Sequence, residues 1–202
     1  MMRTRARRGE GEHLRDEILA AGTRLLVETG DAEAVTIRAV AREVGVTPPA
    51  IYLHFPDKAA LILAICNSTF EALDEHIEAA VAGIEDPLEA LAARGAAYVR
   101  FGLENPEHYR VLFMTRPLAT EAVNFEDAKP GVFQHHFDAV SRAYAAGALP
   151  EATDLLTAAI FLWSGVHGIT SLLIAKPGFP WPPIEPLVDA ILATLISGLR
   201  AS

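Results

Sequence analysis

The sequence predicts an all-α protein of about nine helices, on three observations. Apolar residues recur with helical spacing along nearly the whole chain. No stretch alternates apolar and polar residues with period two, and no Asn-Gly or Asp-Gly pair marks a hairpin. Glycine and proline fall in clusters between the periodic stretches, where they read as punctuation. The chain has 202 residues and is 51% apolar, enough for one large or two small folded domains with a real core.

The first helix is expected over about 12–28, with Leu14, Ile18, Leu25 and Leu26 on one face and Gly30 just past its end. Thr36 suits the cap of a second helix that runs to Gly45. Thr47 opens a short third helix, its hydroxyl able to cap and Pro48 at the first helical position, where no N–H is needed. That helix ends near Leu53 or His54, before Pro56. A fourth runs from Asp57 or Lys58 to about Ala82. Asp86-Pro87 opens a fifth, through about Leu103, and Pro106 a sixth, through Phe113 or Met114. Residues 116–130 are the least periodic and read as a mobile loop. A seventh helix occupies 131–146 and an eighth 151–175. The Pro-rich break at 176–183 then separates off a ninth, over 185–199.

Charge is uneven. The formal net charge is −9. Residues 1–60 hold nine Lys/Arg and nine Asp/Glu, so the whole negative excess lies in the remainder. Residues 1–11 read as a disordered basic arm: Arg3, Arg5, Arg7 and Arg8 precede the first acid, and such an arm is either merely solvated or meets phosphates. No apolar run follows these arginines, so a secretory signal is not expected. Cys66 has no intrachain partner and reads as a small hydrophobe, which suits a reducing, cytoplasmic compartment. Leu155–Ala175 contains no Asp, Glu, Lys or Arg and is of membrane-spanning length. Its Ser164, His167, Thr170, Ser171 and two glycines favour a helix buried in a core or interface, and no membrane partner is expected.

Functional information concentrates in residues 36–58. Ala41 is small enough to let two helices approach. Gly45 permits a turn that side chains resist. Val40, Val44, Val46 and Ile51 supply a shared core. This is the logic of a helix-turn-helix, whose second helix enters the DNA major groove. The same stretch resembles the DNA-binding signature of the TetR family of repressors, above all in Tyr52-x-His54-Phe55 followed by Lys58. Trp163-x-x-x-His167-Gly168 resembles a Trp-x-x-x-His-Gly element in the ligand-binding domains of one TetR subgroup, and residues 105–113 resemble that subgroup as well.

The resemblance implies an N-terminal three-helix DNA-binding domain over 12–58 and a C-terminal helical ligand-binding and dimerisation domain over 59–202. It places Thr36 and Arg38 near the DNA backbone, and Thr47, Pro48, Pro49 and Ala50 at the start of the recognition helix. Tyr52 and His54 would reach phosphates or base edges, and Lys58 a phosphate at a helix N-terminus. Many relatives carry Gly or Ser near position 49; Pro49 removes a donor and favours apolar contact, as with thymine methyls. Phe55 reads as core. Tyr52 and His54 can each instead be packed structural residues, and Arg42 a solvated charge.

A homodimer is implied, since one copy reads one half-site. The eighth and ninth helices are the expected interface, through Ser164, Gly165, Gly168, Ser171 and Leu172 on one and Leu187, Ile191, Leu195 and Leu199 on the other. Tyr98, Phe101, Phe113, Phe133, His136, Phe137, Trp163 and His167 could line an apolar cavity for a small-molecule effector, or be plain core. His135-His136 lacks a metal-binding partner at helical spacing, so no metal is expected, nor any cofactor. No nucleophile elbow, phosphate loop, zinc-protease motif or dinucleotide fingerprint suggests an enzyme. The expected function is a DNA-binding transcriptional regulator, a repressor released from a palindromic operator by an apolar ligand. The alternatives are activation in place of repression, and a helical ligand-binding protein or enzyme that does not bind DNA.

Overall fold

The computed structural model describes residues 10–113, 131–150 and 154–201. The described residues form nine α-helices and no strand: α1 (Glu10–Thr29), α2 (Ile37–Val44), α3 (Pro48–Tyr52), α4 (Lys58–Val81), α5 (Pro87–Glu104), α6 (Pro106–Phe113), α7 (Val132–Ala145), α8 (Leu155–Ala175) and α9 (Ile184–Ala201). The all-α expectation therefore holds, with helix ends within a few residues of those read from the sequence. The basic arm through residue 9 and the loop at 116–130 lie outside the described residues. So do residues 151–153, the expected start of the eighth helix.

Contacts divide the described chain into two compact units. One holds residues 10–70 and 107–113; the other holds 71–106, 131–150 and 154–201. Helix α4 is uninterrupted and contributes residues to both.

In the first unit, Ile18, Ala21 and Leu26 of α1 pack with Val40 and Ala41 of α2, Ile51 of α3, and Leu61 and Ile65 of α4, all buried. Each large aliphatic side chain taken fully from water contributes about 1.5–3 kcal/mol, so this core holds the short helices that propensity alone could not. Phe55 is buried too, with the Arg15 guanidinium 5.3 Å above its ring, as the core reading of that residue requires. On α6, Tyr109 is buried and stacks obliquely on Phe113, which meets Phe70 edge-on at 5.7 Å.

In the second unit, α5 packs against α7, α8 and α9. Asp86 caps α5, its Oδ1 accepting from Leu88 N at 2.9 Å and Glu89 N at 2.8 Å, while Pro87 takes a first-turn position. Gly95 is the close-approach point. A Cβ there would lie 2.3 Å from Leu192 Cδ2 of α9 and 3.2 Å from Val166 Cγ1 of α8. Helix α8 has a mean hydropathy of 1.7 and is long enough to cross a membrane, yet only 44% of its apolar window is buried within the chain. The buried residues include Ala158, Leu162, Val166, Ile169 and Leu173, whereas Leu156, Ile160, Phe161, Trp163 and Leu172 are exposed.

Candidate nucleic-acid interface

The first unit presents α3 by fixing both of its ends. Thr36 caps α2, its Oγ1 accepting from Ala39 N at 3.1 Å. Gly45 ends α2 in the left-handed region, with φ +76° and ψ 30°. There Val46 N donates to Ala41 O at 2.9 Å and Gly45 N to Arg42 O at 3.3 Å, the paired bonds of a Schellman close. The chain re-enters helix at once, and Ile51, fully buried, pins the next turn into the shared core.

Thr47 departs from expectation. It occupies the cap position of α3, but its side chain makes no capping hydrogen bond. Pro48 and Pro49 remove the first two donors of the helix, and Ala50 N already donates to the Thr47 carbonyl at 2.9 Å. Thr47 is exposed, which leaves its side chain accessible for other contacts. Thr47→Ala should therefore change thermal stability by less than ~0.5 kcal/mol, below the ~1 kcal/mol of an ordinary cap. A calorimetric loss the size of a full cap would overturn this reading of the turn.

Anchoring Ile51 turns its neighbours outward. Tyr52 is 53% exposed and Leu53 84% exposed. Leu53 did not stand out in the sequence. Its signal was there, however: a large apolar residue beside a core position, on a helix too short to bury two faces. Pro49 and Arg38 are also exposed, while Pro48, Ala50 and His54 are half-buried.

Lys58 opens α4, where Asp57 Oδ1 accepts from Ala60 N at 2.8 Å. Its ammonium lies 2.9 Å from Glu33 Oε2, in a salt bridge that crosses from the loop before α2. A phosphate contact from Lys58 must compete with that carboxylate. Glu33→Gln should consequently tighten binding to all DNA sequences alike, by about two- to fivefold at low salt, whereas Lys58→Ala should weaken it uniformly. Equal affinities for Glu33→Gln and the parent chain in a fluorescence-anisotropy titration would show that the pair does not restrain the lysine.

In the second unit, five of the eight expected pocket residues form one connected set. Phe133 meets Trp163 edge-on at 5.8 Å and His136 at 6.4 Å. Trp163 lies 5.7 Å from His167, whose Nδ1 is 3.0 Å from Tyr98 Oη. His136 Nε2–H donates to Ala159 O at 2.9 Å. Burial lowers the pKa of both His136 and His167, which holds these imidazoles neutral at neutral pH; Arg94 adds to the effect at His136 against its backbone hydrogen bond. The other three residues have contacts of their own. Phe101 packs on His76, Phe137 joins the core of α7, α8 and α9, and Phe113 belongs to the first unit. Sequence spacing could not separate them, because aromatic residues look alike before their helices are packed.

Two further readings change. Gly165 and Leu195 face one another within the chain: a Cβ on Gly165 would lie 2.4 Å from Leu195 Cδ1. The close approach that Gly165 permits is thus between α8 and α9 of one copy. Gly168, by contrast, has nothing within 4 Å of where its Cβ would stand. Ser164 and Leu172 are exposed, Ser171, Leu187 and Ile191 half-buried, and Leu199 buried. His135 also gains partners that its local sequence lacks. Its Nδ1 lies 2.9 Å from both carboxylate oxygens of Asp74 and 3.8 Å from Glu78 Oε1, with α4 supplying both acids.

Comparison with known proteins agrees with this geometry. Residues 18–65 match the family described as bacterial regulatory proteins, tetR family, and residues 91–197 match the tetracyclin repressor-like C-terminal domain. Both descriptions are of regulators and not of enzymes. The chain is 31% identical over 115 residues to the nucleoid occlusion factor SlmA of Vibrio campbellii, a match covering 57% of this chain and 56% of that protein. It thus spans about half the length of the curated relatives it matches. A protein of unknown function from Rhodococcus sp. RHA1 superposes with a TM-score of 0.78 at 29% identity, over 93% of this chain and 95% of the other. The FadR regulator of Bacillus subtilis, solved with stearoyl-CoA, shares the fold alone, with a TM-score of 0.75 at 15% identity over 90% and 97% of the two chains. A helix-turn-helix built on Gly45 and Ile51, joined to a C-terminal domain of the matching type, places this chain in the TetR family, to which it belongs.

Proposed function

We propose that the chain is a cytoplasmic, DNA-binding transcriptional regulator, a homodimeric repressor that leaves a palindromic operator when a small apolar ligand binds. The observation that carries the DNA-binding reading is the outward display of Tyr52 and Leu53 by a helix whose opposite side is pinned by the fully buried Ile51. Such a helix offers apolar groups to base edges without losing its anchor, and Leu53 suits a thymine methyl. Thr36, Arg38, Thr47 and Lys58 would supply contacts to the backbone, and Pro48, Pro49, Ala50 and His54 would shape the helix start and its exit. Few cations are available on this head, so two half-sites bound at once must supply much of the affinity.

The exposed apolar residues of α8 support the dimer. Leu156, Ile160 and Phe161 stand on the solvent side of a helix with a mean hydropathy of 1.7, and a second copy would remove them from water. Ser164, Gly168 and Leu172 continue that helix, with Leu187 and Ile191 joining from α9. The connected set of Tyr98, Phe133, His136, Trp163 and His167 supports the ligand reading, since its imidazoles are neutral and its rings apolar. Binding there would act on the operator through α4, the continuous helix that carries residues of both units. The first unit, with α4 as far as Phe70 and with α6, would read DNA, the second would bind ligand and partner, and a basic arm would precede Glu10.

Gel retardation of genomic fragments at two salt concentrations tests the central reading. Retardation that weakens steeply as salt rises is expected. Absence of retardation at low salt would sink it. Sedimentation of the purified chain tests the dimer, and a monomer at micromolar concentration would remove that part.

A further inference from the structure

The second unit contains a cavity of about 260 Å³ between the end of α4, the start of α5 and α7, and none of the five residues of the aromatic set lines it. Val81, Ile84 and Ala90 form apolar wall, and Arg94, Arg142 and Glu85 are its charged lining. Arg94 is the unusual member. It is 3% exposed, yet among the described residues one of its three guanidinium nitrogens is partnered: Nη2 donates to Glu78 Oε1 at 2.6 Å. Its Nε and Nη1 are buried with no hydrogen-bond partner among the described residues.

Buried donors without acceptors are costly, and costlier on a cation. A guanidinium has five N–H groups and no acceptor. The complement of this wall is therefore a molecule that brings oxygen acceptors on one side and hydrocarbon on the other. Charge narrows the choice. Glu78 pairs with Arg94, and the lining adds one further cation, Arg142, and one further anion, Glu85, so the cavity has donors with little excess positive charge. That suits a singly charged carboxylate better than a multiply charged phosphate. Size narrows it again, because 260 Å³ is the space of about nine waters at ~30 Å³ each, and so of a molecule with a similar number of heavy atoms.

We infer that this cavity is a binding site for a small organic monocarboxylate, whose oxygens take the unpartnered N–H groups of Arg94 and meet the Arg142 guanidinium, and whose hydrocarbon lies on Val81, Ile84 and Ala90. The inference deepens the effector reading above, resting on its premise that the second unit takes a small molecule, and it names a chemical class and a lining that shares no residue with the aromatic set.

Calorimetric titration of the full chain, free of DNA, with hexanoate, hexanamide and inorganic phosphate tests it. Hexanoate should bind, with hexanamide at least about tenfold weaker, the loss expected when a charge-assisted hydrogen bond becomes a neutral one. Arg142→Gln, at an exposed position where folding is not at risk, should weaken hexanoate by about tenfold. Ala90→Phe should fill the cavity and abolish binding, with an unchanged melting profile confirming the fold. No heat from hexanoate up to about 10 mM, weaker than ordinary specific binding, overturns the site. So does hexanamide binding as tightly as hexanoate, phosphate binding in its place, or affinity unmoved in Ala90→Phe. A second titration, of operator DNA into hexanoate-saturated protein, separates the two readings. Unchanged DNA affinity there would end the effector role of this cavity and leave the carboxylate site standing.

Discussion

Ile51→Ala is expected to remove about 2–5 kcal/mol from the stability of the first unit and to abolish specific DNA binding. Ile51 is fully buried among Val40, Ala41 and Phe55, and α3 is only five residues long. A helix that short has almost no stability of its own, so its orientation comes from tertiary packing. Truncating the anchor leaves a cavity and frees the turn that displays Tyr52 and Leu53. Urea denaturation followed by circular dichroism should show the loss, and anisotropy with operator DNA should show affinity falling to the non-specific level. Tyr52→Ala is the contrast. It removes an exposed ring, so affinity should drop with stability within ~0.5 kcal/mol of the parent. If Ile51→Ala melted like the parent while DNA binding vanished, the residue would be a contact and the packing argument would be wrong.

Gly95→Val is expected to destabilise the second unit by about 1–3 kcal/mol or more through overpacking. The new Cβ would sit 2.3 Å from Leu192 Cδ2 and 3.2 Å from Val166 Cγ1. Leu192 and Val166 are both buried, so neither can swing into solvent to make room. The three helices must separate, which also disturbs the α8–α9 pair that the proposed dimer uses. Gly168→Ala is the matching control. Nothing lies within 4 Å of its Cβ position, and it is a glycine inside a helix, so alanine should stabilise the fold by about 0.5–1 kcal/mol. Thermal melts of the two variants should move in opposite directions. If sedimentation showed Gly168→Ala to be a monomer, Gly168 would mark a close approach between two copies.

Local sequence carried the DNA-reading head because each of its devices is local. Thr36 caps, Gly45 turns, Ile51 anchors and the prolines set the helix start, all within sixteen residues of chain. Thr47 was misread for a local reason too, since a cap position is legible while the absence of donors behind two prolines has to be counted. Leu53 was passed over because an apolar residue next to core positions looks like core until the helix has only one buried face. In the second unit the relevant partners are far apart in sequence. Glu78 and Arg94 come from successive helices, His135 meets Asp74 across sixty-one positions, and Tyr98 meets His167 across sixty-nine.

The sequence by itself determined the helical class, the caps and turns, the helix-turn-helix and the family resemblance. Those depend on periodicity and on backbone conformations that particular residues impose within a few positions. Only the tertiary structure decided which aromatics share a surface, that Gly165 serves the chain's own α9, that Lys58 is paired with Glu33, and that Arg94 is buried with donors to spare. Those outcomes depend on how helices pack, and many helix pairings satisfy the same apolar periodicity. Packing selects one of them, and with it the neighbours of every buried charge.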